Sequence, residues 1–459
     1  MKAVKVIVII VAVLVSLAIV LVGAGVFFTD RYLQSPAFKN QVLKTAHEEL
    51  SADVRIDEMH ASLFSGVALR GVIIGNPPGF SGNLVTAEAF VLRYRLLPLL
   101  SRRIEIEQLS LDKPVITLTR NDKGGWNYES IGTQESQAKP ATSATTPPTK
   151  PAATTVKSGT ALPLDIVLSK LAITQGAVSM VSEKDKPIVK LEGIEFSSSV
   201  SLTGNKLSGT GKAGISKINV SDALFVKNVA TPVTLGSDQV KLVSLSGTVA
   251  DGKISGDVTA DIGGSLKYVV NLRVKDSDIA KFLQEAGKKA ALTGKASASV
   301  SLQGTGGVPT IIGNGRAEIA NGKLMEIPLL NVLATLLQID ALRDLNFSEC
   351  LLEFSISNNV MQTPVIRLTS PQVQITGKGS VSLDNYTLNH NMTIVFAKGA
   401  LDRAPDPIRG LFTEQQDGSL TLDFKVTGPY DSPKTDLTKR IAQGVGQQLL
   451  EKGLRRLLK

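Results

Sequence analysis

Apolar and polar residues alternate along much of this chain with the period of a β-strand. In Ala296-Ser297-Ala298-Ser299-Val300-Ser301-Leu302-Gln303 the residues Ala296, Ala298, Val300 and Leu302 share one side, and the serines and Gln303 share the other. Leu266, Tyr268, Val270, Leu272 and Val274 repeat the pattern against Lys267, Asn271 and Arg273, with Val269 as a break, and Val373, Ile375, Val381 and Leu383 continue it. Such stretches recur from about Val200 to Val426 with little helix between them. One face of the sheet must touch something apolar, so either the sheet closes on itself or it holds an apolar cargo.

Other elements follow from the same reading. Phe38, Val42, Ala46 and Leu50 recur at helical spacing and predict a short amphipathic helix. Val54 to Ile56, Val67 to Ile74, Val85 to Tyr94, Ile104 to Leu111 and Val115 to Thr119 predict strands, separated by turn formers such as Asn76-Pro77-Pro78-Gly79. Asp251-Gly252 and Asn321-Gly322 are hairpin candidates, both pairs suited to positive φ. Ser277 to Ala286 predicts a helix with Ile279, Phe282, Leu283 and Ala286 on one side. Ile327 to Leu345 predicts a second helix, apolar almost all round, that either covers the apolar sheet face near one end or is an ordinary core helix.

Before the strands, Val6 to Phe28 runs without a charge, long enough at about 1.5 Å per residue to cross a bilayer. The run is longer than a signal-peptide core and ends in Val26-Phe27-Phe28, so it predicts a retained anchor, with Lys2 and Lys5 marking the cytoplasmic side. From Thr133 to Pro163 the composition shifts to Ala, Thr, Ser, Pro and Lys, which predicts a linker. From Thr435 to Lys459, Leu437, Ile441, Val445, Leu449 and Leu454 fall near one side with basic residues elsewhere, predicting a helix that either lies on an anionic membrane or caps the sheet. The division expected is therefore 1–28 tail and anchor, 29–132 an N-terminal β-rich module, 133–163 linker, 164–434 a β-groove region with helices near 277–287 and 327–345, and 435–459 a basic amphipathic helix.

Composition narrows the function. With 459 residues and 43% hydrophobic residues the chain has ample material to bury, while aromatics at 5% leave the apolar faces smooth and aliphatic. The formal charge of +9 is spread through the chain with no aromatic-basic recognition motif, which argues against nucleic acid and for attraction to anionic head groups. Cys350 is the only cysteine, so no intramolecular disulfide forms. Gly209-Thr210-Gly211-Lys212-Ala213-Gly214 matches a dinucleotide pattern but sits between alternating segments, where it reads as a turn. His47, His60 and His390 are isolated from ligand-like spacings, and no nucleophile elbow or phosphate loop is present. No enzyme activity, cofactor or metal is expected.

Several segments together resemble the AsmA family of membrane-anchored bacterial envelope proteins. They are the anchor, the run Gly66 to Pro77, Tyr94 to Leu100, Leu111-Asp112-Lys113-Pro114-Val115-Ile116-Thr117-Leu118, and Gly125-Trp126-Asn127; further on, Gly313 to Leu324 and Gly377 to Asp384 are similar to the family's C-terminal region. The resemblance implies an inner-membrane protein with its body in the periplasm and a role in outer-membrane lipid homeostasis. It also implies kinship with bridge-like lipid transporters, whose strands curl into a groove with an apolar floor.

The fold expected is mainly β, an elongated, curved antiparallel sheet forming a groove or half-pipe, with a few helices and one N-terminal transmembrane helix. About 20 strands side by side at roughly 4.8 Å would extend about 100 Å. The concave face is expected to carry the lipid contacts Ile254, Val258, Ala260, Ile262, Leu266, Tyr268, Val270, Leu272, Val300, Leu302, Val373, Ile375, Leu422 and Phe424. At about 0.8 kcal/mol per buried methylene, half an acyl chain would be held by several kcal/mol, and neighbouring positions would be nearly equivalent, which allows sliding. Phospholipid and the inner membrane are the expected partners, with the outer membrane or envelope proteins beyond them. The competing expectation is a closed β-sandwich core, which would make the protein an envelope scaffold or assembly factor.

Overall fold

The structure, a computed structural model, describes residues 33–50, 52–62, 66–95, 98, 103–129, 131, 165–182, 186–203, 206–306, 308–325, 330–331, 334, 339–404 and 406–437. The expected anchor at 6–28, the linker, about half of the 327–345 helix and nearly all of the C-terminal helix lie outside these residues. Among the described residues no helix is long and apolar enough to cross a membrane.

The chain is mainly β, the 21 strands of the described residues belonging to one predominantly antiparallel sheet. It divides into two compact units within strands β8 (Lys206–Val220) and β9 (Leu224–Gly236). The first unit takes in Met1–Ser216 and Pro232–Ser237, the second Lys217–Thr231 and Asp238–Lys459.

In the first unit, helix α1 (Pro36–Leu50) precedes strands β1 (Val54–Ser62), β2 (Gly66–Gly75), β3 (Asn83–Arg95), β4 (Arg103–Asp112), β5 (Val115–Thr119), β6 (Asp165–Val181) and β7 (Pro187–Thr203). The helical periodicity is realised directly, since Phe38, Val42, Ala46 and Leu50 are all buried. Phe38 and Val42 join Leu69, Phe90 and Leu92 from β2 and β3 in one closed cluster, and Leu50 joins Leu84, Leu118 and Tyr128 in another. Strands β1, β2 and β3 pair antiparallel in succession, whereas β6 pairs parallel with both β4 and β5. Here the expected antiparallel pairing gives way to parallel pairing. The junction is held by Lys113, which adopts φ +43° between β4 and β5 and donates its backbone N–H to Thr174 of β6. Strand β6 thus pairs with the N-terminal strands.

The second unit carries β10 (Gln239–Val249), β11 (Gly252–Asp261), β12 (Lys267–Asp278), helix α2 (Ile279–Glu285), β13 (Leu292–Thr305), β14 (Ile312–Met325), β15 (Asp344–Ser357), β16 (Val360–Thr369), β17 (Val373–Ser382), β18 (Thr387–Phe396), helix α3 (Asp406–Arg409), β19 (Thr413–Glu414), β20 (Leu420–Pro429) and β21 (Lys434–Thr435). From β10 to β18 each strand pairs antiparallel with the next, and β18 pairs with β20.

A hairpin does turn at the expected Asp251-Gly252, but one residue earlier: Ala250 and Asp251, at φ +43° and +66°, are its loop residues, and Gly252 already pairs with Val249. Asn321-Gly322 does not: Asn321, at φ +49°, sits inside β14, where the register with β13 shifts between the pairs Thr293–Lys323 and Lys295–Ala320, so positive φ here serves a bulge. The dinucleotide-like glycines lie within β8, in a strand rather than a turn. The helix expected at Ser277 to Ala286 is α2, capped by the Asp278 carboxylate, which accepts the Lys281 backbone N–H at 3.1 Å. At the far end of the other expected helix, Asp344 and Leu345 already belong to β15.

Candidate functional site

Strand pairing turns the alternation into continuous apolar rows across the second unit. One row runs Leu242, Val258, Val270, Leu302, Gly313, Ile356, Met361, Val381 and Leu388, one residue from each strand from β10 to β18. Nine strands at about 4.8 Å make a line roughly 40 Å long. A second row runs Leu245, Gly256, Leu272, Val300, Gly315 and Phe354, and a third Gly247, Ile254, Val274, Ala298, Ala317, Leu352 and Ile366.

The other face is polar in the same register. Asp257, Asn271, Ser301, Asn314, Ser355, Gln362, Ser380, Asn389 and Thr427 form one cross-strand row, and Ser301 donates to the Asn271 Oδ1 at 2.7 Å.

Among the described residues a closed cluster covers one part of the apolar face. Leu345, Phe347, Leu368, Val373, Ile394, Phe396, Leu420, Leu422 and Phe424 of β15 to β20 are buried beneath Leu330, Ala334, Leu342, Leu401, Ala404, Phe412 and Leu437. The rings of Phe396 and Phe412 meet edge to face, 5.6 Å between centroids. Leu292 of β13 and Ile319 and Leu324 of β14 pack against this cluster, but among the described residues no comparable cover lies on the long row from Leu242 to Leu388. Val258, Val270, Leu272, Val300 and Leu302 are half-buried by their sheet neighbours, and none of them belongs to a buried cluster of the described residues. A closed sandwich would bury such residues between two layers.

The expected contacts therefore separate into three groups. Val258, Ala260, Tyr268, Val270, Leu272, Val300 and Leu302 lie together on the uncovered face. Val373, Leu422 and Phe424 are sealed in the closed cluster, with Ile375 packed against it, and Ile254 is buried. Ile262 and Leu266 fall in the β11–β12 loop, not on a strand, and Ile262 is 36% exposed. Loop geometry ended the alternation two residues earlier than the sequence pattern did.

Leu242, Ile356, Met361 and Leu388 complete the long row and were missed, because their place depends on cross-strand register. Val381 carried a visible alternation signal. Val269, the break in the pattern, is 42% exposed on the polar side.

Surface depressions open on the polar face of this unit. One, of 590 Å³, is lined by Ser255, Asp257, Asn271, Arg273, Ser299 and Ser301 among others. It adjoins the bulge at Ser244, whose N–H donates to the Asp257 carboxylate at 2.9 Å. Among the described residues no three His, Cys, Asp or Glu side chains are grouped to hold a metal. Cys350 packs against the closed cluster, where burial pushes its thiol pKa up.

The family-resemblance segments of the first unit have a structural basis. Asn127 is fully buried; its amide donates to Asn76 Oδ1 and to the Thr117 carbonyl, both at 2.8 Å, and its Oδ1 accepts the Thr119 N–H at 3.0 Å. The loops at 76 and 127 are thereby tied together, and Trp126 stacks on Tyr128 beside them.

The family model described as AsmA family matches residues 1–214. That stretch ends within β8, so the uncovered rows, and the segments at 313–324 and 377–384, lie outside the match. No curated protein and no solved structure matches the chain.

Proposed function

We propose that this chain, which belongs to the AsmA family over residues 1–214, holds phospholipid by its acyl chains on the uncovered apolar face of β10 to β14 and conducts it along that face. The carrying observation is the long row from Leu242 to Leu388, half-exposed and without a covering layer among the described residues. Hydrocarbon laid there would remove apolar surface from water at about 25 cal/mol per Å², and similar side chains in adjacent strands would give it near-equivalent positions. Transfer along such a row needs no bond chemistry, and the head group stays in water.

In this reading the chain is tethered to the inner membrane through residues 6–28, with its body in the periplasm supporting outer-membrane lipid homeostasis. The apolar run preceded by Lys2 and Lys5 supports that placement. The protein acts as a carrier rather than an enzyme, with phospholipid and membrane as its partners.

The closed clusters favour a second reading for their own parts: the first unit and the β15 to β20 end would serve as scaffold, docking envelope proteins. Uptake of a fluorescent phospholipid by delipidated full-length protein separates the two. Uptake supports conduction, and a folded protein that takes up none, yet captures a specific envelope protein, supports the scaffold.

A further inference from the structure

The uncovered face is built around glycines whose missing side chains are occupied by their neighbours. On β14 the apolar positions Gly313, Gly315 and Ala317 offer nothing larger than a methyl group. A Cβ on Gly315 would collide with the Phe354 ring, whose Cε1 would be 2.7 Å away, and one on Gly313 would stand 2.8 Å from Leu302 Cδ2. On β13 a Cβ on Gly304 would stand 2.5 Å from the Tyr268 hydroxyl oxygen and 3.2 Å from its Cε2. The two largest side chains of the uncovered face thus lie along the sheet, over glycines, instead of standing away from it. Aromatic rings laid over strand glycines stabilise a sheet. They also leave its surface low and even. In a closed core, by contrast, large side chains stand up to interdigitate with a facing layer.

We infer that the Phe354–Gly315 and Tyr268–Gly304 pairs level this face so that it selects unbranched acyl chains over methyl-branched ones. The inference rests on the conduction reading and specifies its substrate class. Dispersion contact decides the selection: a gap of about 0.5–1 Å forfeits a quarter to a half of each atomic contact, so a branch that lifts the chain weakens the whole line. An extended straight chain follows an even floor without such gaps.

The test uses full-length protein purified in detergent and delipidated. Two head-group-labelled phosphatidylethanolamines serve as probes, one with straight palmitoyl chains and one with methyl-branched phytanoyl chains. A methylene in an enclosed pocket is discriminated about 10–200-fold, so a floor touching one side of the chain should favour the straight probe about fivefold. Phe354→Ala, which empties the furrow over β14, should bring that ratio close to one. Gly315→Val, which lifts the ring, should cut uptake of the straight probe, and Phe354→Leu, which refills the furrow, should restore much of the preference.

A preference that is unchanged in folded Phe354→Ala protein, judged by circular dichroism, overturns the inference while leaving conduction standing. So does an unmodified protein that takes up both probes equally. Uptake of neither probe overturns the conduction reading and the inference with it.

Discussion

His390 and Thr363 form a buried polar pair on the apolar side of the sheet, with His390 Nε2 2.8 Å from Thr363 Oγ1. Gly379 stands between them in the register and Val426 on the far side of His390, so no charge neighbours the ring in its row. Burial holds the imidazole pKa below its ordinary value of 6.5. The unfolded chain therefore takes up the proton more readily than the folded one. Stability contributed by the neutral ring is complete above about pH 6.5 and is lost as pH falls through that value towards the depressed folded pKa. Thermal scans between pH 7.5 and 5 should show a steeper fall in Tm for the unmodified chain than for His390→Gln. Parallel curves would show that the ring titrates as it does in the unfolded chain.

Glutamate placed on the two faces should have opposite consequences. Val270 and Val300 lie on the uncovered apolar rows, and Asn271, next in sequence to Val270, lies on the polar row. A carboxylate beside hydrocarbon loses solvation, so Val270→Glu or Val300→Glu should lower phospholipid uptake about tenfold or more, equivalent to roughly 1.4 kcal/mol. Asn271→Glu should leave uptake unchanged. Equal effects at both faces in folded proteins would mean that neither face is the floor.

The closed end should respond in stability rather than in lipid uptake. Phe396 is fully buried and Leu342 equally so, one beneath the cover and one within it. Phe396→Ala should cost about 3–5 kcal/mol and Leu342→Ala about 2–5 kcal/mol, read by chemical denaturation. Losses below about 1 kcal/mol would mean that the cover collapses onto the gap or is loosely held.

Asp278 caps helix α2 and pairs with Lys295 at 3.2 Å. The Lys281 backbone N–H, first, and Lys295 hold its carboxyl pKa below the ordinary 3.8. The stabilisation is therefore present above the ordinary carboxylate range and is lost as pH falls through the depressed value. Asp278→Ala should cost about 1 kcal/mol at neutral pH, with Asp278→Asn recovering part of it through its amide oxygen. Hydrogen exchange at the α2 amides reads the effect locally, and unchanged protection in the alanine variant would remove the cap from the account.

Local pattern carried much of the fold. The clean alternation of Ala296 to Gln303 lies within β13, and the helical spacing of Phe38 to Leu50 is the buried stripe of α1. What was illegible depended on distant pairing. Asn321-Gly322 has the composition of a hairpin turn, and only the ladder with β13 makes it a bulge. The parallel pairing of β6 with β4 and β5 joins segments more than 50 residues apart across the predicted linker. The cover over Val373, Leu422 and Phe424 comes partly from Leu401, Ala404 and Phe412, a crossover with no periodic signal. Alternation thus identified apolar faces, but not which of them the chain covers with its own side chains.

The proposed function requires that the row from Leu242 to Leu388 stay accessible to hydrocarbon. Native mass spectrometry of the full chain, released from detergent without a delipidation step, reads this. Adducts of phospholipid mass that disappear in Val270→Glu protein are the expected result. A folded protein that flies without any lipid adduct, under conditions that preserve other lipid complexes, would show the row closed to lipid.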